Sequence, residues 1–457
     1  MARFAELNPQ DRVFFAYDRA LRRLGLPGIH IQAHLDMIGP IDVEGLKRTL
    51  LAIYRLYPAV GSRLDRHPVT GTPRWRLEVP PPDLDRVVRL HALDPPTEPE
   101  WIRQGEDLLH QPMDLVTLPP VQFHVFRGLP DGDRVVIRWP HAFMDVRGMI
   151  LLAEDIDRIY REKPDLASIR PSGDEERRDF EALIAIPTLL DQVKLLARDR
   201  PRSKGIATHD QWLPAGRVRR PIGRIRHIRR FFSAEQTRQT QQAALRVCGF
   251  AQYGDFVRAS ALRAMHRAMP SPPPVGATYS TLNVLDHRKR RQRSPVCHNL
   301  FSGLLLRVPA SMVEDRKAVA ALLRHQTEQI VSGDGIRRHL ALVKLISRLP
   351  PALLTEAMYQ NMNPERESAL PVAFGTPPSL QVGFSADAPT LLPTFCGANK
   401  AHTYGLGIPP PLSGFAIDLN LIHGQLHVTS TFLESRITPA SMNRLMDDFA
   451  AALLDAS

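Results

Sequence analysis

Helical and alternating hydrophobic periods interleave irregularly along this chain of 457 residues. Hairpins occur as well as crossovers, which predicts α/β or α+β layers built on mixed sheets in two halves, rather than one doubly wound parallel sheet. Two further observations support that division. Length alone suggests two or three domains at roughly 100 to 200 residues each. A stretch mixing charge with proline and glycine, residues 161–225, separates two periodic regions.

After the opening "LNPQDRVFFAYDRA", read as a helix, residues 29–38 alternate apolar Ile29, Ile31, Ala33, Leu35 and Met37 with polar His30, Gln32, His34 and Asp36. That is the period of a half-buried strand. Asp42 then caps a helix whose apolar positions are Val43, Leu46, Leu50, Ile53 and Tyr57, and Pro58 stops it. The chain is thus expected to open helix, strand, helix. "VQFHVFRG" and "RVVIRWP" read as two strands joined by the Pro-Asp-Gly turn at 130–132. A helix marked by Met149, Leu152, Ile156 and Ile159 follows, with Asp145 at its start.

The crossover carries one helical patch, "ALIAIPTLLDQVKLLARD", and ends in "AGRVRRPIGRIRHIRR". Downstream come two helices, "SAEQTRQTQQAALRVCG" and "YGDFVRASALRAMHRAM", a proline-rich break at 270–274, and the strands "ATYSTLNVLDHR" and "LFSGLLLRVP". "GFAIDLNLIHGQLHVTSTF" is a long hairpin turning at His423 and Gly424, and "TPASMNRLMDDFAAALLDA" is a capped terminal helix. The boundaries expected are 1–185, a basic linker at 186–224, and 225–457.

A net charge of +11 points to an acidic partner: nucleic acid, an anionic membrane surface, a phosphorylated cofactor or an acidic carrier protein. Seven arginines in "RVRRPIGRIRHIRR" fit such phosphates or, equally, a solvated linker. No interleaved aromatic pattern or zinc finger accompanies them, so nucleic acid is not the expected partner. Cys248, Cys297 and Cys396 are odd in number and widely spaced, which fits neither a disulfide framework nor a zinc ribbon and indicates a reducing compartment. With no apolar signal core and no run of roughly 18 to 20 apolar residues, a cytoplasmic monomer is expected, peripheral membrane contact remaining open.

His141 ends a strand and Asp145 starts a helix, so a tight connector holds both near one surface. A neutral histidine is suited to take a proton from a hydroxyl or amine at neutral pH, whereas an aspartate at a helix start is, on spacing alone, a cap. His423 and His427 flank a hairpin turn rather than sharing a helix face, so no metal site is expected.

The segment "PHAFMDVRGM" resembles the H-x-x-x-D-G signature of the chloramphenicol acetyltransferase-like acyltransferases, a superfamily that includes nonribosomal peptide condensation domains, wax ester synthases and polyketide-associated acyltransferases. "AIYRLYPAVGSRL", "RFFSAEQTRQTQQAALRVCGFAQYGDFVRASALRAMHRA" and "NVLDHRKRRQRSPVCHNLFSGLLLRVP" extend the likeness over most of the chain. It departs from the pattern at Pro140, which precedes the histidine, at Val146 in place of the glycine, and at His298 before Asn299. No Asp-Phe-Gly-Trp-Gly motif is present.

The resemblance implies two similar α/β sandwich halves forming a pseudo-dimer around a central tunnel. It implies His141 as general base and Asp145 as an acid that either orients it or supports the loop through Arg288. Gly148 and Asn299 fall at active-site loop positions, and Ser385 is the oxyanion candidate. The implied reaction moves an acyl group from an acyl thioester to an alcohol or amine, with acyl-CoA or an acidic acyl carrier protein as co-substrate and no permanently bound cofactor. Amide condensation between carrier-bound partners, and a non-catalytic binding member of the fold, are the alternatives.

Overall fold

In the computed structural model, residues 3–77, 79–173, 223–249, 253–269, 272–273, 275–288, 296–362, 380–385, 393–411, 414–422 and 424–455 are described. The N-terminal region runs β1 (Phe4–Glu6), α1 (Pro9–Arg23), β2 (His30–Ile38), α2 (Val43–Leu56), β3 (Arg63–Arg66), β4 (Pro73–Arg76), α3 (Leu84–Val87), β5 (Val88–Ala92), α4 (Glu98–His110), β6 (Gln122–Arg127), β7 (Arg134–Pro140) and α5 (Val146–Glu162). The remainder runs β8 (Ile225–Phe231), α6 (Ala234–Cys248), α7 (Tyr253–Arg267), β9 (Thr278–Asp286), β10 (Phe301–Pro309), α8 (Arg316–Ser332), α9 (Gly335–Ile346), α10 (Pro351–Met362), β11 (Leu380–Ser385), β12 (Thr394–Phe395), β13 (Ala398–Leu406), β14 (Phe415–Ile422), β15 (Gln425–Leu433) and α11 (Pro439–Leu454).

Local chemistry sets the helix starts. Asn8 and Asp11 form a reciprocal capping box on α1, and Ser233 with Gln236 does the same on α6. Asp42, Asp145 and Thr438 each accept a backbone N–H in the first turn of α2, α5 and α11. The chain does not open on a helix, however, because β1 precedes α1 and pairs with β4.

Two sheets organise the molecule, in the orders β12-β13-β2-β7-β6-β5 and β10-β9-β11-β14-β15-β8. Each has its own apolar core: α2 and α5 bury Leu46, Leu50, Leu152 and Ile156 against the first sheet, while α6, α7 and α11 bury Phe256, Leu262 and Phe449 against the second. Strands β12 and β13 come from late in the chain yet complete the first sheet, β13 pairing antiparallel with β2.

Strand β2 is not half-buried as its alternation suggests. His30, Gln32, His34 and Asp36 are 2%, 0%, 0% and 4% exposed. Their face is covered by α4 and the second sheet, with the His34 ring tilted against Trp101 of α4 at 5.3 Å and 6.4 Å from that of His227 on β8.

The basic run also departs from its expected place in a solvated linker. Its last residues form β8, antiparallel to β15, and its arginines are consumed within the fold. Arg226 reaches Glu106 at 3.0 Å, Arg229 reaches Asp36 at 3.4 Å and also Glu98, Arg224 pairs with Asp107, and Arg230 pairs with Asp447 at 2.8 Å. Burying a cation is tolerable only with such partners, and α4 supplies most of them. The helical patch "ALIAIPTLLDQVKLLARD" and Arg217, Arg219 and Arg220 lie outside the described residues.

Burial pulls the ring pKa values of His30, His34, His124 and His227 below the ordinary histidine range. The folded chain keeps these rings neutral, while the unfolded chain protonates them below roughly pH 6.5, so their effect is absent above that pH and destabilises the fold as pH falls through it. Unfolding free energy should drop on acidification by up to about 1.4 kcal/mol per pH unit for each such ring. Urea denaturation at pH 7.5 and 5.5 checks this; equal stability at the two values would show the rings to be protonated in the fold.

Candidate active site

The connector between β7 and α5 is locked by its own backbone chemistry. His141 N donates to Ile29 O at 3.1 Å, Phe143 N to Pro140 O at 2.9 Å, and the Trp139 indole N–H to Met144 O at 3.0 Å. These bonds hold the His141 ring half-buried where the two halves meet, stacked on Phe14 of α1 at 4.1 Å and 5.7 Å from Phe301 of β10.

His141 Nδ1 lies 3.1 Å from Asn299 Oδ1. The amide orientation follows from its other end, where Asn299 Nδ2 donates to Asp11 Oδ1 at 2.9 Å and to His141 O at 2.7 Å. With nitrogen committed to two acceptors, the oxygen must face the ring, so Nδ1 carries the proton and Nε2 keeps its lone pair. Burial lowers the His141 pKa, while its own backbone, the Asp145 charge and the Asn299 bond act in the opposite direction. A neutral ring with a bare Nε2 is a proton acceptor at neutral pH.

Asp145 does not orient that ring. Its Oδ1 accepts from Gly148 N at 2.8 Å, and its Oδ2 accepts from Arg288 Nη1 at 2.9 Å and Leu300 N at 2.8 Å. It is both helix cap and ion-pair partner, and of the two roles left open for it the loop-supporting one matches its contacts. Arg288 continues to Asp286 Oδ1 at 3.1 Å and His298 O at 3.0 Å, and Asp145 N donates to the same His298 carbonyl at 3.2 Å. The His298 side chain is buried; its backbone carbonyl is what serves the junction.

The two glycine positions have different requirements. A Cβ at Gly148 would overlap the Val296 carbonyl oxygen, so a side chain there would push the halves apart. Val146 is the first residue of α5 and 46% exposed, and it is absent from the positive-φ residues, which among described non-glycines are Lys163 and Cys396. Nothing at 146 demands glycine.

Ser385 ends β11 opposite Asn420 of β14, but its side chain lies outside the described residues. His423 does too, while His427 is buried on β15 with Nε2 3.4 Å from His402 Nδ1. Among the described residues, no group of three or more histidine, cysteine or acidic side chains could hold a metal, and no helix is long and apolar enough to cross a membrane.

Sequence reasoning reached His141, Asp145, Arg288, Gly148 and Asn299, which the structure brings together. It missed Asp11 and Phe14, which approach from α1. The spacing Asn8-Pro9-Gln10-Asp11 was a capping-box signal, but a cap does not announce that its second oxygen holds a distant asparagine.

No family description matches the chain, and no curated protein sequence does. Solved structures do. The first condensation domain of the calcium-dependent antibiotic synthetase, solved with a substrate analogue, is 15% identical with a TM-score of 0.67, covering 100% of this chain and 97% of that one. A trichothecene 15-O-acetyltransferase from Fusarium sporotrichioides is 10% identical with a TM-score of 0.67, covering 98% and 94%. The polyketide synthase associated protein 5 from Mycobacterium tuberculosis is 15% identical with a TM-score of 0.57, covering 99% and 97%. The chain therefore has the pseudo-dimeric chloramphenicol acetyltransferase-like fold over its whole length.

Gly148→Ala should loosen the junction and lower the thermal midpoint, at a cost of roughly 1–3 kcal/mol for an overpacked site, whereas Val146→Gly should change stability by no more than about 1 kcal/mol. Asp145→Ala should cost more, about 3–5 kcal/mol, because it strands the buried Arg288 guanidinium. Calorimetry of the three variants checks the ranking, and a Gly148→Ala protein as stable as the parent would contradict the close approach.

Proposed function

We propose that the chain transfers an acyl group from an acyl thioester to a hydroxyl or amine, with His141 Nε2 as general base. The observation that carries this reading is the fixed tautomer: Asn299 occupies Nδ1, leaving a bare Nε2 where the halves meet. The base removes the acceptor proton as the acceptor oxygen or nitrogen bonds to the thioester carbon. The tetrahedral oxyanion then collapses, the carbon–sulfur bond breaks, and the thiolate takes the proton from Nε2. Ser385, at the end of β11, is the proposed oxyanion donor. The reaction as written needs neither a metal nor a covalent acyl-enzyme.

A thioester on coenzyme A or on a carrier's phosphopantetheine arm brings phosphate. A cavity of about 280 Å³ between α1 and the start of α10 is lined by Arg12, Arg19 and Arg348 together with Thr70, Thr72 and Ser347. The described structure gives none of the three arginine side chains an ion pair or hydrogen bond. Arg12 and Arg19 share a flank of α1 adjacent to the face carrying Asp11 and Phe14, which reach Asn299 and His141. This is a fitting place for the anionic part of the donor. Carrier-bound acceptors, and so amide condensation, are the second reading, favoured by the likeness to condensation domains over the whole chain.

Thiol release from a panel of acyl-CoA and acyl-carrier thioesters, each offered alcohols and amines, tests the proposal. His141→Ala should lower the rate by roughly 10²- to 10⁴-fold. Because burial lowers the His141 pKa and only the neutral ring accepts a proton, kcat/KM should be flat above about pH 6.5 and fall below it. Unchanged turnover in His141→Ala would remove the base assignment.

A further inference from the structure

The second sheet has one face against its helices and another toward the first half. Ser302, Leu304 and Leu306 of β10 are buried in the helix-side core, while the alternate residues Phe301, Gly303 and Leu305 are partly exposed. Phe301 lies beside His141, so this open face is the floor of the proposed site. The same face runs on across the sheet: Gly303 lies opposite Val284, Leu282 of β9 opposite Gln381 of β11, Gly383 two residues further along β11 opposite Asp418, and Asp418 opposite Thr429. Residues in one row share a face. Val284, 48% exposed, and two glycines leave the row low and open.

Asp418 therefore stands on the same floor, three strand spacings or roughly 14 Å from Gly303. Among the described residues its carboxylate has no hydrogen bond and no ion pair. Burial pushes it up to about 6, with no charge offsetting the shift. Asn420, two residues along on the same face, is likewise without a side-chain partner, and the hydroxyl of the fully buried Thr429 has none. Other acids at this seam are matched by cations: Glu106 by Arg226, Asp36 by Arg134 and Arg229, and Asp145 by Arg288.

We infer that Asp418, with Asn420, binds a protonated amine of a ligand lying between the halves. The two carboxylate oxygens and an amide oxygen offer an ammonium group acceptors for its three protons. Resting on the proposed acyl transfer, this gives the acceptor a class: an elongated molecule whose cationic end sits at Asp418 while its hydroxyl or second amine reaches His141. The cation supplies the counter-charge that the fold supplies to Glu106, Asp36 and Asp145.

Calorimetric titration of the full chain with 1,4-diaminobutane, 1,12-diaminododecane and 1,12-dodecanediol tests the inference without requiring turnover. The long diamine should bind at least tenfold more tightly than the diol. Asp418→Asn should remove that preference, Asp418→Glu should retain part of it, and His141→Ala should leave it intact. Circular dichroism of Asp418→Asn should match the parent, since that change removes a partnerless charge rather than a contact. Equal binding of diamine and diol by the parent, or undiminished diamine binding by a folded Asp418→Asn variant, overturns the subsite. Asp418-dependent diamine binding in a chain that acylates nothing would instead uphold the subsite and reject acyl transfer.

Discussion

One carboxylate joins the two halves at the candidate site. Asp145 accepts from the first turn of its own helix, from the Arg288 guanidinium and from the Leu300 backbone. Hydrogen bonds to a charged group contribute about 1.5–3 kcal/mol each, against roughly 0–1 for an exposed ion pair. The Arg288 and Asp145 side chains are 3% and 8% exposed, which places the pair among the strong ones. Holding Leu300 also holds the residues before it: Val296 and Cys297 join the first core although they belong to the second half. Asn299, between Cys297 and Leu300, is thereby delivered to His141.

A second seam lies along β8 and α4. There the arginines of β8 and Arg224 before it are paired in place by Glu98, Glu106 and Asp107, so the net excess of positive charge resides on other side chains. The described arginines of that run are thus internal fasteners, and Arg12, Arg19 and Arg348 on α1 and before α10 line a cavity instead. A further tie runs from α5 to β12 and β13, where Asp157 accepts from Cys396 N at 3.0 Å and Thr394 Oγ1 at 2.9 Å. Each seam uses a buried acid of the N-terminal half to hold the C-terminal half.

What was legible in the sequence was local. The β6–β7 hairpin, α2, α5, α6, α7 and the closing β14–β15 hairpin follow from period and turn chemistry, and the Asp145 cap from its place before an apolar period. Arg288, Gly148 and Asn299 came by resemblance, because their partners lie far away in sequence; Asn299 meets His141 across 158 residues and Asp11 across 288. No period announces such contacts. The polar face of β2 was misjudged for a related reason: alternation says that the two faces differ, not that the polar one meets water, and here it meets α4 and the second half. "IRHIRR" looked like linker because its strand period is hidden under charges whose partners are supplied elsewhere.

The choice of orienting group bears on which reaction the proposed base suits. A carboxylate on Nδ1 would hold the imidazolium by its charge; the neutral Asn299 amide raises the ring pKa without bringing a charge, and burial outweighs it. Asn299 fills that place; Asp11 reaches the ring only through that amide, and Asp145 has both oxygens committed elsewhere. A proton taken up on Nε2 is therefore held weakly and must pass on soon after the acceptor attacks. A departing thiolate, with a thiol pKa near 8.5, can leave without prior protonation and accepts the proton readily. An amine or alkoxide leaving group has to be protonated as it departs, whereas a thiolate makes no such demand on the ring. For the proposed transfer, a thioester is the donor that asks least of the ring.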